Sequence, residues 1–365
     1  MAAIISPIRI GNLDISNRVV LAPMTRIRAD DHHVPLDIAR EYYAQRASVP
    51  GTLLINEGTF ISARAGGTDN VPGIWSETQV KQWKTITDAV HDRGSYIFCQ
   101  LWALGRAANP EVLARDGENV ISSGDIPMTE SSPIPRPLSE DEILDWVNDY
   151  ARAAKNAISA GFDGVEIHGA NGYLPDQFLQ DTANNRTDRW GGSLENRSRF
   201  GLEVAKAVSD AVGAERTGFR ISPWSTFQSM RMKNFQEQFT DLILGLSRLN
   251  LAYLHVVEPR ISGGQTVEDS VENDDTFIFD AFGNSGAIIL AGGFTAESAE
   301  KRLQSQATRR VAIAFGRHFL ANPDLPFRIA KALPLNQYER ATFYTPKSPR
   351  GYIDYPFSPQ FSTEG

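Results

Sequence analysis

The chain has 365 residues, 41% of them hydrophobic and 22% charged, with a formal charge of −8 at pH 7. That is the composition of an ordinary folded globular protein, and the acidic balance argues against nucleic acid or an anionic membrane as the main partner, because both attract basic patches. Cys99 is the only cysteine, which rules out an intrachain disulfide and a cysteine-rich metal cluster and makes a reducing, cytoplasmic setting the expectation.

The first residues, "MAAIISPIRIGNLDISNRVV", lack the basic start and long apolar run of a signal peptide. No later segment offers the roughly 18 apolar residues of a membrane-spanning helix. Within this opening, "PIRIGNLDI" reads as a small hairpin. Short β-branched runs then recur: "VVLAP" (19–23), "LLINEG" (53–58), "YIFCQL" (96–101), "GVEIHG" (164–169), "GFRISP" (218–223), "YLHVVEP" (253–259), "AIILAGG" (287–293) and "VAIAFG" (311–316). Continuous apolar runs of this length suit strands buried on both faces, as in parallel sheets.

Helical patterns lie between these runs. Residues 76–93 open on Ser76 and bring Val80, Trp83, Ile86 and Val90 onto one face, with Gly94 as the stop. The stretch 105–138 carries Pro110, Pro127, Pro133, Pro135 and Pro137, has no clear period, and reads as a loop or hairpin. Residues 139–160 begin "SEDE", a capping box in which Ser139 and Glu142 satisfy each other's backbone donors, and Gly161 ends the helix. Ser193 to Val212 repeats the scheme through Phe200, Val204 and Val208, closed by Gly213. Thr295 and the segment after Pro323 open two more.

Strands alternating with helices imply right-handed βαβ units. Eight of them predict a closed (β/α)₈ (TIM) barrel, α/β in class, formed as a single domain over 1–365. The hairpin would close its bottom and 105–138 would lie over its top. In this architecture the site lies at the C-terminal ends of the strands. Those ends carry Thr25, Gly58, Gln100 with Trp102, the set His168, Asn171 and Tyr173, Arg220, Glu258 with Arg260, Gly292 and Gly293, and Gly316 with Arg317.

"AGGF" after the seventh run and "FGRHF" after the eighth read as an anion site, since glycines let backbone N–H groups approach a ligand and Arg317 adds a fixed charge. The plainer alternative is tight turns alone. A Rossmann site is absent, because no two glycines stand one residue apart, and there is no P-loop. His168 and Asn171, at i and i+3 on a tight turn, can both donate to one ligand oxygen and stabilise charge developing there. Tyr173, ordinarily protonated at neutral pH, suits a general acid. The alternative is that the histidine caps backbone groups and the tyrosine packs. No histidine spacing suits a metal and no G-x-S-x-G appears. Arg220 on a buried strand needs an anionic partner, from protein or ligand.

"HGANGYLPDQFLQDTANNRTDRWGGSLENRSRF", preceded by "LAPMTR", "EGTF" and "QLW" and followed by "HVVEPR", "LAGGF" and "FGRHFLANPDLPFRIAKALPLNQYERATFY", resembles the Old Yellow Enzyme family of flavin-dependent ene-reductases over essentially the whole chain. The resemblance implies a barrel holding FMN at its mouth. Pro23, Met24 and Thr25 would line the flavin, the Gly58 backbone and the Gln100 amide would bond its pyrimidine side, and Arg220 would sit beside the N1/O2 end. Gly292, Gly293, Gly316 and Arg317 would take the phosphate. His168 and Asn171 match the pair that grips a carbonyl or nitro oxygen, Tyr173 the proton donor, Trp102 a pocket-shaping position and Tyr344 a residue near its rim. Gly293 departs from the asparagine of many relatives, Thr25 places the chain in the threonine-type branch, and 260–274 is a variable loop, expected to shape the pocket and with it substrate choice.

The implied reaction is ping-pong. NADPH or NADH reduces FMN, and hydride then passes to the β-carbon of an enone or nitroalkene while Tyr173 protonates the α-carbon. Rival readings are a dedicated secondary-metabolism reductase or isomerase of the same fold, a flavin-free barrel lyase or isomerase, and a catalytically silent binding protein. A small-molecule substrate, no nucleic acid, no membrane and a monomer or homodimer complete the expectation.

Overall fold

The computed structural model describes residues 1–263, 265–267 and 274–364. Eight strands form the barrel: β1 Val19–Leu21, β2 Leu53–Ile55, β3 Tyr96–Trp102, β4 Gly164–His168, β5 Thr217–Ile221, β6 Tyr253–Val257, β7 Ala287–Ala291 and β8 Val311–Phe315. Each pairs in parallel with the next and β8 pairs with β1, so the barrel closes, and a two-residue strand, Thr59–Phe60, adds to the end of β3 at the mouth. All eight expected runs are strands, in the expected order.

Closure explains why these runs are apolar throughout rather than alternating. Residues of one parity face the lumen, where Val20, Leu53, Ile55, Phe98, Tyr253, Ile289 and Ala312 pack together. Residues of the other parity, such as Val19, Leu54, Ile97, Val165, Phe219, Leu254, Ile288 and Ile313, pack outward in the larger core with the helices. The N-terminal hairpin, Ile8–Ile10 against Leu13–Ile15, puts Ile8, Ile10 and Ile15 into the lumen cluster and plugs the bottom.

The helical layer consists of α1 Asp37–Arg46, α2 Glu77–His91, α3 Glu140–Ser159, α4 Leu194–Val212, α5 Phe235–Ser247, α6 Thr276–Phe282, α7 Ala296–Ser305 and α8 Leu325–Ala330. Ser76 with Gln79, and Ser139 with Glu142, form capping boxes that start α2 and α3. Ser193 caps α4, Thr295 caps α7, and Gly213 ends α4 at φ 99°. Among the described residues no helix is long and apolar enough to cross a membrane.

Two connections reach the mouth of the barrel. The 105–138 segment takes the loop form, with a short helix at Pro110–Arg115 and a two-residue parallel pairing of Ile121–Ser122 with Arg136–Pro137. Its Ala108, Leu113 and Val120 cluster with Phe60 and Trp102, so it backs one wall of the site. The C-terminal segment is held by three buried arginines that donate to its backbone: Arg28 Nη2 to Thr342 O at 3.0 Å, Arg26 Nη2 to Gly351 O at 2.7 Å, and Arg46 Nη2 to Tyr352 O at 3.1 Å. Phe343 and Tyr344 are thereby brought to the mouth.

Candidate active site

A cavity of about 580 Å³ opens at the C-terminal ends of the strands. Of the residues singled out in the sequence, Pro23, Met24, Thr25, Gln100, Trp102, His168, Asn171, Tyr173, Arg220, Gly292, Gly293, Gly316, Arg317 and Tyr344 all line it. Gly58 does not. An added Cβ there would meet the Trp102 indole at 2.5 Å, so the residue packs directly against that side chain.

One wall is aromatic. Tyr173 meets Trp102 edge-on with ring centroids 4.9 Å apart and His168 at 4.9 Å, and Phe60 stacks on Trp102 at 5.2 Å. His168 is the last residue of β4, almost fully buried, with Nδ1 lacking any partner in the chain. Burial, and then the charge of Arg220, hold its pKa well below the ordinary imidazole value, so it is neutral with one N–H donor.

The turn after β4 places the other two groups. Asn171 sits in the left-handed region at φ 58°, which asparagine tolerates better than most residues. Its backbone N–H donates to Ser222 Oγ at 2.7 Å, while its own side-chain Oδ1 is buried without a partner. The Gly172 N–H donates to Asp176 Oδ2 at 2.8 Å, and Gln177 Nε2 donates to Gly172 O at 2.7 Å. Both acceptor and donor come from the short helix Leu174–Leu179 that follows. Burial, followed by the neighbouring Tyr344, pushes the Tyr173 pKa far up, so its hydroxyl remains a proton carrier at any ordinary pH.

Arg220, on β5 beside His168, is buried with Nε unpartnered, and burial draws its pKa below the usual guanidinium value. Across the cavity, Arg317 Nη2 donates to Thr266 Oγ1 at 3.0 Å. Gly293 is at φ 68°, and a Cβ there would point to within 3.8 Å of Arg317 Nη2. At Gly316 a Cβ would stand 3.0 Å from Met24 Sδ. The two loops therefore form a cradle that side chains would fill, beside a fixed positive charge, which is the donor set for a phosphate. An orphaned arginine at the floor, an amide at Gln100 and this cradle together fit FMN.

The hairpin after β6 adds further lining residues. Ile261–Ser262 pairs with Gln265–Thr266 and brings Arg260, Ile261, Thr266 and Val267 to the cavity; positions 264 and 268–273 of the 260–274 segment lie outside the described residues. Glu166 lies directly beneath the cavity and carries no sequence motif. It is fully buried in the lumen and accepts from Gln100 Nε2 at 2.7 Å and from His255 Nδ1 at 2.8 Å. The available signal was a carboxylate inside an apolar strand, two positions before His168 and so on the same face.

The sequence model of the NADH:flavin oxidoreductase / NADH oxidase family matches residues 3–336. Chanoclavine-I aldehyde reductase fgaOx3 of Penicillium roqueforti is 54% identical, with 99% of this chain and 98% of that protein covered. The NADP-dependent oxidoreductase lnbE of Aspergillus flavus is 50% identical over 99% and 97%. A probable inactive reductase, easA of Epichloe festucae var. lolii, is 48% identical over 98% and 96%. The crystal structure of Old Yellow Enzyme from Pichia sp. AKU4542 superposes with a TM-score of 0.90 at 36% identity, covering 98% of this chain and 94% of that one. A barrel of this topology, a mouth lined by these residues, and similarity over its whole length lead to one assignment: the chain belongs to the NADH:flavin oxidoreductase / NADH oxidase family, whose solved members include Old Yellow Enzyme.

Proposed function

We propose that the chain works as one FMN-binding barrel that reduces an electron-poor alkene, with NADPH or NADH as the electron source. The observation that carries this reading is the convergence of a neutral His168, an Asn171 held in the left-handed region and a permanently protonated Tyr173 on one cavity with Arg220. FMN held there would supply the chemistry the side chains lack, hydride transfer between a nicotinamide and an activated carbon. Pro23, Met24 and Thr25 would flank its ring, Gln100 and Arg220 its pyrimidine edge, and Gly292, Gly293, Gly316 and Arg317 its phosphate.

The protein's own part is orientation and proton supply. His168 and Asn171 donate to the carbonyl or nitro oxygen of the substrate and draw electron density from the conjugated β-carbon. Tyr173 gives its proton to the α-carbon. Trp102 and Tyr344 bound the space left for the alkene. Two relatives are named as aldehyde reductases, one of them for chanoclavine-I aldehyde, which favours an aldehyde as the group that activates the alkene. An acid at position 173 favours net reduction over isomerisation. A flavin-free lyase using a lysine is disfavoured, since among the described residues no lysine lines the cavity.

The test is the visible spectrum of the purified protein before and after anaerobic NADPH. The expected result is a flavin spectrum that bleaches and then returns on addition of an enal or of cyclohexenone. A protein that stays colourless after incubation with FMN would overturn the reading. A flavin that is bleached but not reoxidised by any activated alkene would confine the overturned part to the substrate.

A further inference from the structure

The lumen of the barrel is apolar at the bottom and polar directly beneath the cavity. Glu166 lies at the centre of that polar layer, fully buried, at a site where apolar residues would cost less, since taking a carboxylate out of water is penalised by several kcal/mol. Burial by itself would raise its pKa, but the adjacent His255, then the charge of Arg220 and the Gln100 hydrogen bond, hold it below the ordinary value, so it is ionised. Burial draws the His255 pKa below the ordinary imidazole value against the pull of Glu166, and its Nδ1–H donates to the carboxylate.

Two consequences follow from the geometry. Gln100 Nε2 stands 2.7 Å from Glu166 Oε1, and the opposite amide orientation would set an oxygen against an ionised oxygen. The Gln100 amide therefore has one allowed orientation, with its donor side committed to Glu166 and its Oε1 able only to accept. Arg220 meanwhile keeps its Nε unpartnered although Glu166 lies in the neighbouring strand, where the register partner of Glu166 is Gly218. The carboxylate thus acts on Arg220 through its field and leaves the guanidinium available to a ligand.

We propose that Glu166 is a positioning residue for the flavin, fixing Gln100 as an acceptor for the ring's N–H and offsetting the Arg220 charge so that FMN is held without undue preference for its reduced form. This rests on the FMN reading above. A lumen bearing Arg220 alone would favour the form of the flavin that carries more negative charge, and so would raise the two-electron potential.

The experiment compares wild type, Glu166→Gln and Glu166→Asp, each loaded with FMN and equilibrated anaerobically with a reference dye. Glu166→Gln removes the charge at constant shape. It is expected to shift the ratio of reduced to oxidised FMN affinity at least tenfold toward reduced, about 30 mV for a two-electron couple. Glu166→Asp keeps the charge, and its ratio should stay within threefold of wild type while oxidised FMN binds more weakly. A loaded Glu166→Gln protein with an unshifted ratio would overturn the inference and leave the FMN assignment standing; a wild type that takes up no FMN would overturn both. Should Glu166→Gln not fold, Glu166→Gln with His255→Leu removes the charge and its buried donor together, and the same tenfold shift is expected. Failure of both to fold would make Glu166 a scaffold residue and overturn the proposal.

Discussion

Tyr173→Phe removes a single oxygen from the proposed proton donor and little else. The ring's edge-on contacts with Trp102 and His168, both at 4.9 Å, are available to phenylalanine as well. Such aromatic pairs contribute about 0.5–1.5 kcal/mol each, so stability and FMN binding should be retained. What is lost is a positioned acid, worth about 10²–10⁴-fold in rate. Because burial pushes the Tyr173 pKa far above neutrality, the wild-type step should also show no fall in rate on the alkaline side up to at least pH 9. Stopped-flow absorbance separates the two half-reactions. Flavin reduction by NADPH should be unchanged in the variant, while flavin reoxidation by an enal should slow by at least a hundredfold. Reoxidation at the wild-type rate, or an equal loss in both half-reactions, would refute the assignment of Tyr173 as the acid.

Two further outcomes are expected. Glu57, buried beside Arg26, has a pKa raised from 4.5 to about 7 by burial, against the Arg26 N–H from which it accepts at 3.0 Å. An acid whose folded pKa is raised is more protonated in the folded state, so its contribution is full below about pH 4.5 and is lost as pH rises through about 7. Thermal unfolding of wild type and Glu57→Gln should therefore diverge with pH, wild type losing about 3 kcal/mol relative to the variant between those limits; a difference independent of pH would exclude the titration. Gly316→Val places branched carbons where even a Cβ stands 3.0 Å from Met24 Sδ, and it should weaken FMN at least tenfold in a fluorescence titration while the barrel's circular dichroism is unchanged; unaltered affinity would move the phosphate elsewhere.

The helices show where sequence patterns carry information and where they do not. The starts of α2, α3, α4 and α7 were legible because Ser76, Ser139, Ser193 and Thr295 are true N-caps, each accepting a backbone N–H. The helices that no pattern located, α1, α5 and α6, follow Leu36, Asn234 and Asp275, whose own side chains cap no backbone N–H. They are held by packing between their neighbours, a term with no local signature. The 105–138 segment was likewise unreadable in detail, since its pairing of Ile121–Ser122 with Arg136–Pro137 spans a proline-rich turn with no period.

By itself the sequence determined the eight strands, their order, and which residues stand at their ends, because strand runs, caps and turn residues depend on neighbours within a few positions. It also named His168, Asn171 and Tyr173, which one tight turn holds together. The tertiary structure alone decided what these ends do to one another. Gln100 and His255 lie 66 and 89 residues from Glu166, and Arg26 reaches Gly351 across 325. Only closure of the barrel, with its fixed register between strands, brings such groups within 3 Å, and only the depth of that closure decides which of them stays charged.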